Sequence, residues 1–136
     1  MQLAHVIIKY LFYPILSQKA YGENRMEISI NNFKRCDIVK VSGRIDSSTS
    51  PQLLTTFNSI LDDGKYKIIF NMSDVSFISS AGLRVLISTQ KNCKRYNRGE
   101  LALSNLPENI KAALDLAGFI PLFRIFDTEV EAVGSF

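Results

Sequence analysis

Two adjacent serines, Ser79 and Ser80, precede Ala81 and Gly82, and a helical spacing of apolar residues begins at Leu83. A hydroxyl at such a junction lies beside unpaired backbone N–H groups and the positive end of a helix dipole, a setting that favours negative charge. Nucleophilic catalysis and reversible phosphorylation both use serines so placed. A nucleophile elbow needs G-x-S-x-G, and Ile78 stands where the first glycine should be for Ser80. A Ser-His pair needs a base, and the single histidine, His5, lies in an unpatterned leader. No GxxxxGK[ST] loop is present. Cys36 and Cys93 are far apart with no CxxC neighbour, which argues against zinc and a disulfide framework and reads as reduced thiols in an intracellular protein. No group of His, Cys, Asp and Glu has metal spacing. The expectation is a protein without enzymatic activity, metal or cofactor.

A switchable serine fits these residues. Phosphate adds a charge of roughly −1.5 to −2 and three acceptor oxygens. At an exposed helix N-terminus the fold tolerates that charge, with a favourable dipole interaction of about 0.3–1 kcal/mol. Inside an interface the same charge is repelled or must be desolvated, at a cost of about 2–5 kcal/mol. Modification could therefore abolish binding without unfolding the domain. The residues leave a plainer role open, in which Ser79 and Ser80 simply cap the helix.

The elements that must position these serines alternate along the chain. Met26, Ile28 and Ile30 alternate with polar residues as in a half-buried strand; Asn31 to Arg35 reads as a turn and Ile38 to Val41 as the returning strand. Gly43 to Ser50 is a polar loop ending with Ser50 as N-cap and Pro51 at the first helical position. Leu53, Leu54, Phe57, Ile60 and Leu61 form one apolar helix face that Gly64 stops. Ile68 to Phe70 is a buried strand, and Val75 to Ile78 a second apolar patch. Leu101 to Leu103 is a strand; Pro107 starts a helix with Ile110, Ala113, Leu114 and Ala117 inward; Leu122 to Phe126 is a last strand; Asp127 caps a final helix. The order ββαβαβαβα predicts an α/β fold with a mostly parallel sheet, right-handed crossovers and an N-terminal antiparallel hairpin.

At 136 residues and 46% apolar content, one domain is expected over residues 26–136. Residues 1–25 differ. Their apolar run from Val6 to Leu16 is broken by Lys9 and Pro14 and is shorter than the ~20 residues of a spanning helix. It reads as an upstream extension not packed with the domain, Met26 being itself a candidate start; membrane contact is not expected. The net charge of +3 does not by itself argue for nucleic acid, and no nucleic-acid partner is expected.

Three motifs between Val39 and Val133 resemble the STAS domain of bacterial anti-sigma factor antagonists: Val41-Ser42-Gly43-Arg44-Ile45-Asp46, the run Val75 to Leu86 through Ser79-Ser80-Ala81-Gly82-Leu83-Arg84, and Ala117-Gly118-Phe119 before Phe123. The middle motif is the most specific. The resemblance implies a cytoplasmic regulator of transcription that works by partner switching. The unphosphorylated antagonist binds an anti-sigma factor, a serine kinase of the ATP-binding histidine-kinase type; the kinase phosphorylates a serine at the start of the second helix, and a serine phosphatase resets it. The usual motif is Asp-Ser-Ser-Gly-Leu. Aligned on Gly82-Leu83, Ser79 takes the place of the acid and Ala81 that of the second serine; in this Ser-Ser-Ala-Gly-Leu form Ser80 is the implied acceptor, with Ser79 second. A second reading is a constitutive STAS adaptor subunit of a lipid-transport or transporter-associated complex, not phosphorylated; a third is a small nucleotide-binding module.

Arg84, Lys91, Arg95 and Arg98 fall near one stripe at helical spacing with Lys94 beside it, while Leu83, Leu86, Ile87 and Cys93 point toward the core. The stripe is either a solvated basic face or a dock for an acidic partner or anionic lipid next to Ser80. Asp46, Ser48 and Thr49 are expected at the same end of the sheet. With Ser79, Gly82, Leu83, Arg84 and Lys91 they complete the expected partner surface.

Overall fold

The computed structural model describes residues 26–136, so the expectations for His5 and the Val6–Leu16 run lie outside the described residues. The observed order is β1 (Met26–Asn32), β2 (Asp37–Ile45), α1 (Ser50–Asp62), β3 (Lys67–Ile78), α2 (Ser80–Lys94), β4 (Glu100–Ser104), α3 (Glu108–Leu116), β5 (Ile125–Phe126) and α4 (Glu129–Gly134). Short 3-10 turns cover Arg95–Asn97 and Ile120–Leu122. The five strands lie side by side in chain order, β1 antiparallel to β2 and the rest parallel. This is the expected mixed, mostly parallel α/β sheet.

Parallel neighbours in chain order with right-handed crossovers must carry their helices on one face. Ile68, Phe70 and Met72 of β3 accordingly join Leu53, Phe57 and Ile60 of α1, Leu86 and Cys93 of α2 and Leu114 of α3 in one core. The opposite face of the same strands, through Ile38 and Ile69, packs against Ala132 of α4. Phe57 and Phe70 meet edge to face, ring centres 5.4 Å apart.

The two apolar patches expected before Ser79 form one strand of 12 residues. Its register against β2 slips twice: Lys40 and Ser42 face Asn71 and Asp74, and Gly43 and Arg44 face Val75 and Phe77. Each slip leaves an extra residue on β3, a bulge that breaks the period-2 alternation by which a strand is recognised. Asn71 occupies the first bulge, its side-chain oxygen accepting the Ser73 N–H at 3.0 Å.

The expected strand from Leu122 to Phe126 shrinks to Ile125–Phe126, because Pro121 sits in a 3-10 turn ahead of it. The outer edge of β4 is consequently uncovered at Leu101, and Gln90 of α2 replaces the missing strand. Its amide oxygen accepts the Leu101 N–H at 2.7 Å, and its amide nitrogen donates to the carbonyls of Leu101 at 3.0 Å and Leu122 at 2.9 Å. Thr128 rather than Asp127 caps α4, its hydroxyl oxygen accepting the Glu131 N–H. Ala117, expected inward, is exposed, because α3 ends at Leu116.

Gln90→Ala is expected to lower stability by about 1–3 kcal/mol, because buried backbone groups of Leu101 lose the amide that pairs them. Urea unfolding followed by circular dichroism measures this; an unshifted midpoint would show that water replaces the amide.

Candidate functional site

The site lies where the ends of β2 and β3 meet the first turn of α2. Ser79 leaves β3 in an extended conformation, and its backbone N–H donates to the Ile45 carbonyl at 2.8 Å. Its hydroxyl oxygen accepts the Gly82 N–H at 3.3 Å, the side-chain cap of α2. Ser80 is the first helical residue and is exposed; among the described residues nothing hydrogen-bonds its hydroxyl. The paired serines therefore divide their roles. Ser79 is committed to capping, and Ser80 projects an uncommitted hydroxyl over the positive end of the helix.

Gly82 permits this junction. A Cβ there would lie 2.7 Å from both Ile45 Cγ2 and Ile78 Cγ1, inside contact distance. Only a residue without a side chain lets α2 rest on the two strand ends.

The β2–α1 loop is held from within. Asp46 Oδ1 accepts the Ser48 hydroxyl at 2.7 Å and the backbone N–H groups of Ser48 and Thr49 at 3.0 and 3.1 Å. These bonds, the Ser48 hydroxyl's first among them, hold the Asp46 carboxyl below its ordinary range. The Thr49 hydroxyl donates to the Arg44 carbonyl at 2.8 Å. The N-cap of α1 is thus Thr49, one residue before the expected Ser50, with the Asp46 carboxylate gathering the N–H groups ahead of it.

The expected partner residues separate by burial. Ser48, Arg84 and Lys91 are exposed, and Asp46, Ser79 and Leu83 are half-buried. Thr49 and Gly82 are buried, so they shape the surface without forming it. Ser80, Arg84, Ser88 and Lys91 follow one another along the exposed ridge of α2. The remainder of the expected basic stripe does not continue it. α2 ends at Lys94, Tyr96 and Asn97 take left-handed φ of 57° and 56°, and the Arg98 guanidinium turns back to stack 3.7 Å from the Tyr66 ring centre.

One pair was missed in the sequence. The β3 bulge turns Phe77 outward to 38% exposure, and the Arg44 guanidinium stacks 4.3 Å from its ring centre while standing 3.8 Å from Asp46. An apolar residue out of phase just before Ser79 was the available signal.

Among the described residues no group of His, Cys, Asp or Glu could hold a metal, and no helix is long and apolar enough to cross a membrane. Both cysteines are free and buried, and burial pushes the Cys93 thiol up to about 12. Ser80 Oγ stands exposed beside the positive end of α2.

The STAS domain family profile matches residues 27–132. The anti-sigma-B factor antagonist of Staphylococcus aureus is 31% identical over 94 residues, covering 68% of this chain and 86% of that protein. An anti-sigma factor antagonist from Mycobacterium paratuberculosis superposes with a TM-score of 0.76 at 21% identity, over 84% of this chain and 96% of that one. The Bacillus cell fate determinant SpoIIAA in its phosphorylated form superposes at 0.64 with 18% identity, over 80% of this chain and 98% of that one.

Gly82→Ala is expected to cost about 1–3 kcal/mol, which urea midpoints measure; an unshifted midpoint would show that Ile45 and Ile78 give way. Ser79→Ala is expected to cost about 0.5–2 kcal/mol and Ser80→Ala under ~0.5 kcal/mol, which urea midpoints compare directly. Because the folded-state pKa of Asp46 is depressed, its stabilisation is complete above the ordinary value of 3.8 and is lost as pH falls through the lower folded value. The midpoint difference between the parent and Asp46→Asn should therefore shrink on acidification below that value; a difference constant with pH would remove Asp46 from the loop's stability.

Proposed function

The chain belongs to the STAS domain family, and on that premise we propose that it is an anti-sigma factor antagonist, a non-enzymatic cytoplasmic regulator whose binding to an anti-sigma serine kinase is gated by phosphorylation of Ser80. The observation that carries this reading is the division of labour at the start of α2: Ser79 is spent on the cap and Ser80 is exposed with its hydroxyl free. The names of the relatives support it.

Binding places the exposed ridge Ser80–Arg84–Lys91, with the Arg44–Phe77 pair and the Ser48 loop beside it, against the kinase. Transfer of the γ-phosphoryl group from ATP puts about two negative charges on Ser80 Oγ, and ADP leaves. Within the domain that charge faces the α2 N-terminus and is tolerated. Across the interface it is not, and a penalty of about 2–5 kcal/mol lowers affinity by a factor of ~30 or more. A serine phosphatase returns the protein to its binding form by hydrolysis of the ester.

Intact-mass analysis after incubation with the cognate kinase and ATP should show one added phosphate, absent in Ser80→Ala. Ser80→Glu should bind the kinase about 30-fold more weakly with an unchanged thermal midpoint. A phosphate retained in Ser80→Ala, or full binding by Ser80→Glu, would falsify the assignment. Arg84→Glu with Lys91→Glu should slow association, more at low salt than at high; identical rates at low salt would take the ridge out of the interface.

A further inference from the structure

At the end of the sheet opposite Ser80, the β1–β2 turn, the α1–β3 loop and the chain after α2 enclose a cleft of about 380 Å3. Lys34, Arg35, Lys65, Lys67 and Arg98 line it. A second cleft of about 360 Å3 adjoins it, lined by Asn58, Asp62 and Asn92 among others. The two share Tyr66 and Arg98 as a common wall. Arg98 is fixed there, its guanidinium donating to the carbonyls of Asn92 at 2.7 Å and Arg95 at 3.0 Å.

Asp37 is buried beneath the first cleft with Lys65 Nζ at 3.8 Å, and belongs to the packing of this end. Two features of this end are unexplained by folding. Phe33 at the hairpin tip and Tyr96 after α2 are exposed aromatics, at 52% and 80%. Tyr96 is held in a left-handed conformation with the Arg95 guanidinium 5.5 Å from its ring centre. Stacking surfaces and a row of cations have different ligand requirements: a flat ring and a chain of anions.

We propose that this end of the domain binds single-stranded nucleic acid, phosphates tracking the cations and bases stacking on Phe33 and Tyr96. Single strands offer unpaired bases and phosphates in series, and base–aromatic stacking tolerates any sequence. The two concave clefts favour a threaded strand over a flat anionic membrane. The net charge of +3 gave no argument for such a partner. The local arrangement does, because five cations line the first cleft and Lys94 and Arg95 stand at the end of α2, against exposed Asp62 and Asp63 and a Phe136 carbonyl oxygen that accepts from Arg35 at 3.4 Å. The site is independent of Ser80.

Fluorescence anisotropy of labelled 12-nucleotide RNA and DNA of mixed sequence tests this on the full chain. Binding is expected at 50 mM salt, falling log-linearly as salt rises. Lys34→Glu with Arg95→Glu should weaken it at least ten-fold and flatten the salt dependence. Phe33→Ala with Tyr96→Asn, asparagine being tolerant of the left-handed conformation, should weaken it at least five-fold with the salt slope kept. Arg84→Glu with Lys91→Glu should leave it unchanged. The relative affinities for RNA and DNA identify the natural strand. No binding at 50 mM salt overturns the proposal, as does equal loss from the Arg84 and Lys91 changes. So do binding to vesicles with 30% phosphatidylglycerol in place of either oligonucleotide, and competition by single nucleotides as effective as that by the 12-mer.

Discussion

The close seat of α2 on the ends of β2 and β3 is the constraint from which the site follows. Helix and strands approach until a Cβ on Gly82 would strike Ile45 and Ile78, and the Ser79 N–H ties the junction to the Ile45 carbonyl. So tight a seat leaves the first helical turn no freedom. It points the next hydroxyl outward and fixes the Ser48 loop and the Arg44–Phe77 pair around it. An interface preorganised in this way requires little ordering on binding. A charge introduced at Ser80 cannot escape by local rearrangement.

The same seat explains how a covalent change could act without unfolding the protein. The cap of α2 belongs to Ser79, so chemistry at Ser80 leaves the helix start intact. Had one serine served both purposes, modification would remove a cap worth about 0.5–2 kcal/mol along with the contact. The capping hydroxyl and the exposed hydroxyl are separated by one residue.

The two ends of the parallel strands carry different surfaces. The carboxyl ends bear the serine, the Asp46 loop and the Arg44–Phe77 pair. The amino ends bear cations, exposed aromatic rings and the buried Asp37. Arg95 and Arg98 read in sequence as a continuation of the α2 ridge, but α2 ends at Lys94, and left-handed Tyr96 and Asn97 turn Arg98 back onto Tyr66. Separate ends allow two partners to be engaged without competition for the same residues.

Element order, sheet type and the strand–serine–helix junction were legible in the sequence, because 3.6-residue and two-residue periodicities are local consequences of what each face must bury. The junction was the most legible part of the site, Ser79 and Ser80 standing between an apolar strand and an apolar helix face. Tertiary structure alone decided which serine is consumed by the cap, since that depends on where the β3 bulges set the strand end against Ile45. It decided that Gln90 closes the sheet edge where β5 falls short, and that Thr49 takes the place of Ser50 at the head of α1. It also decided which cations share a surface. Burial, register and the direction of a chain after its helix are settled by what packs against them, and that information is not local to any stretch of residues.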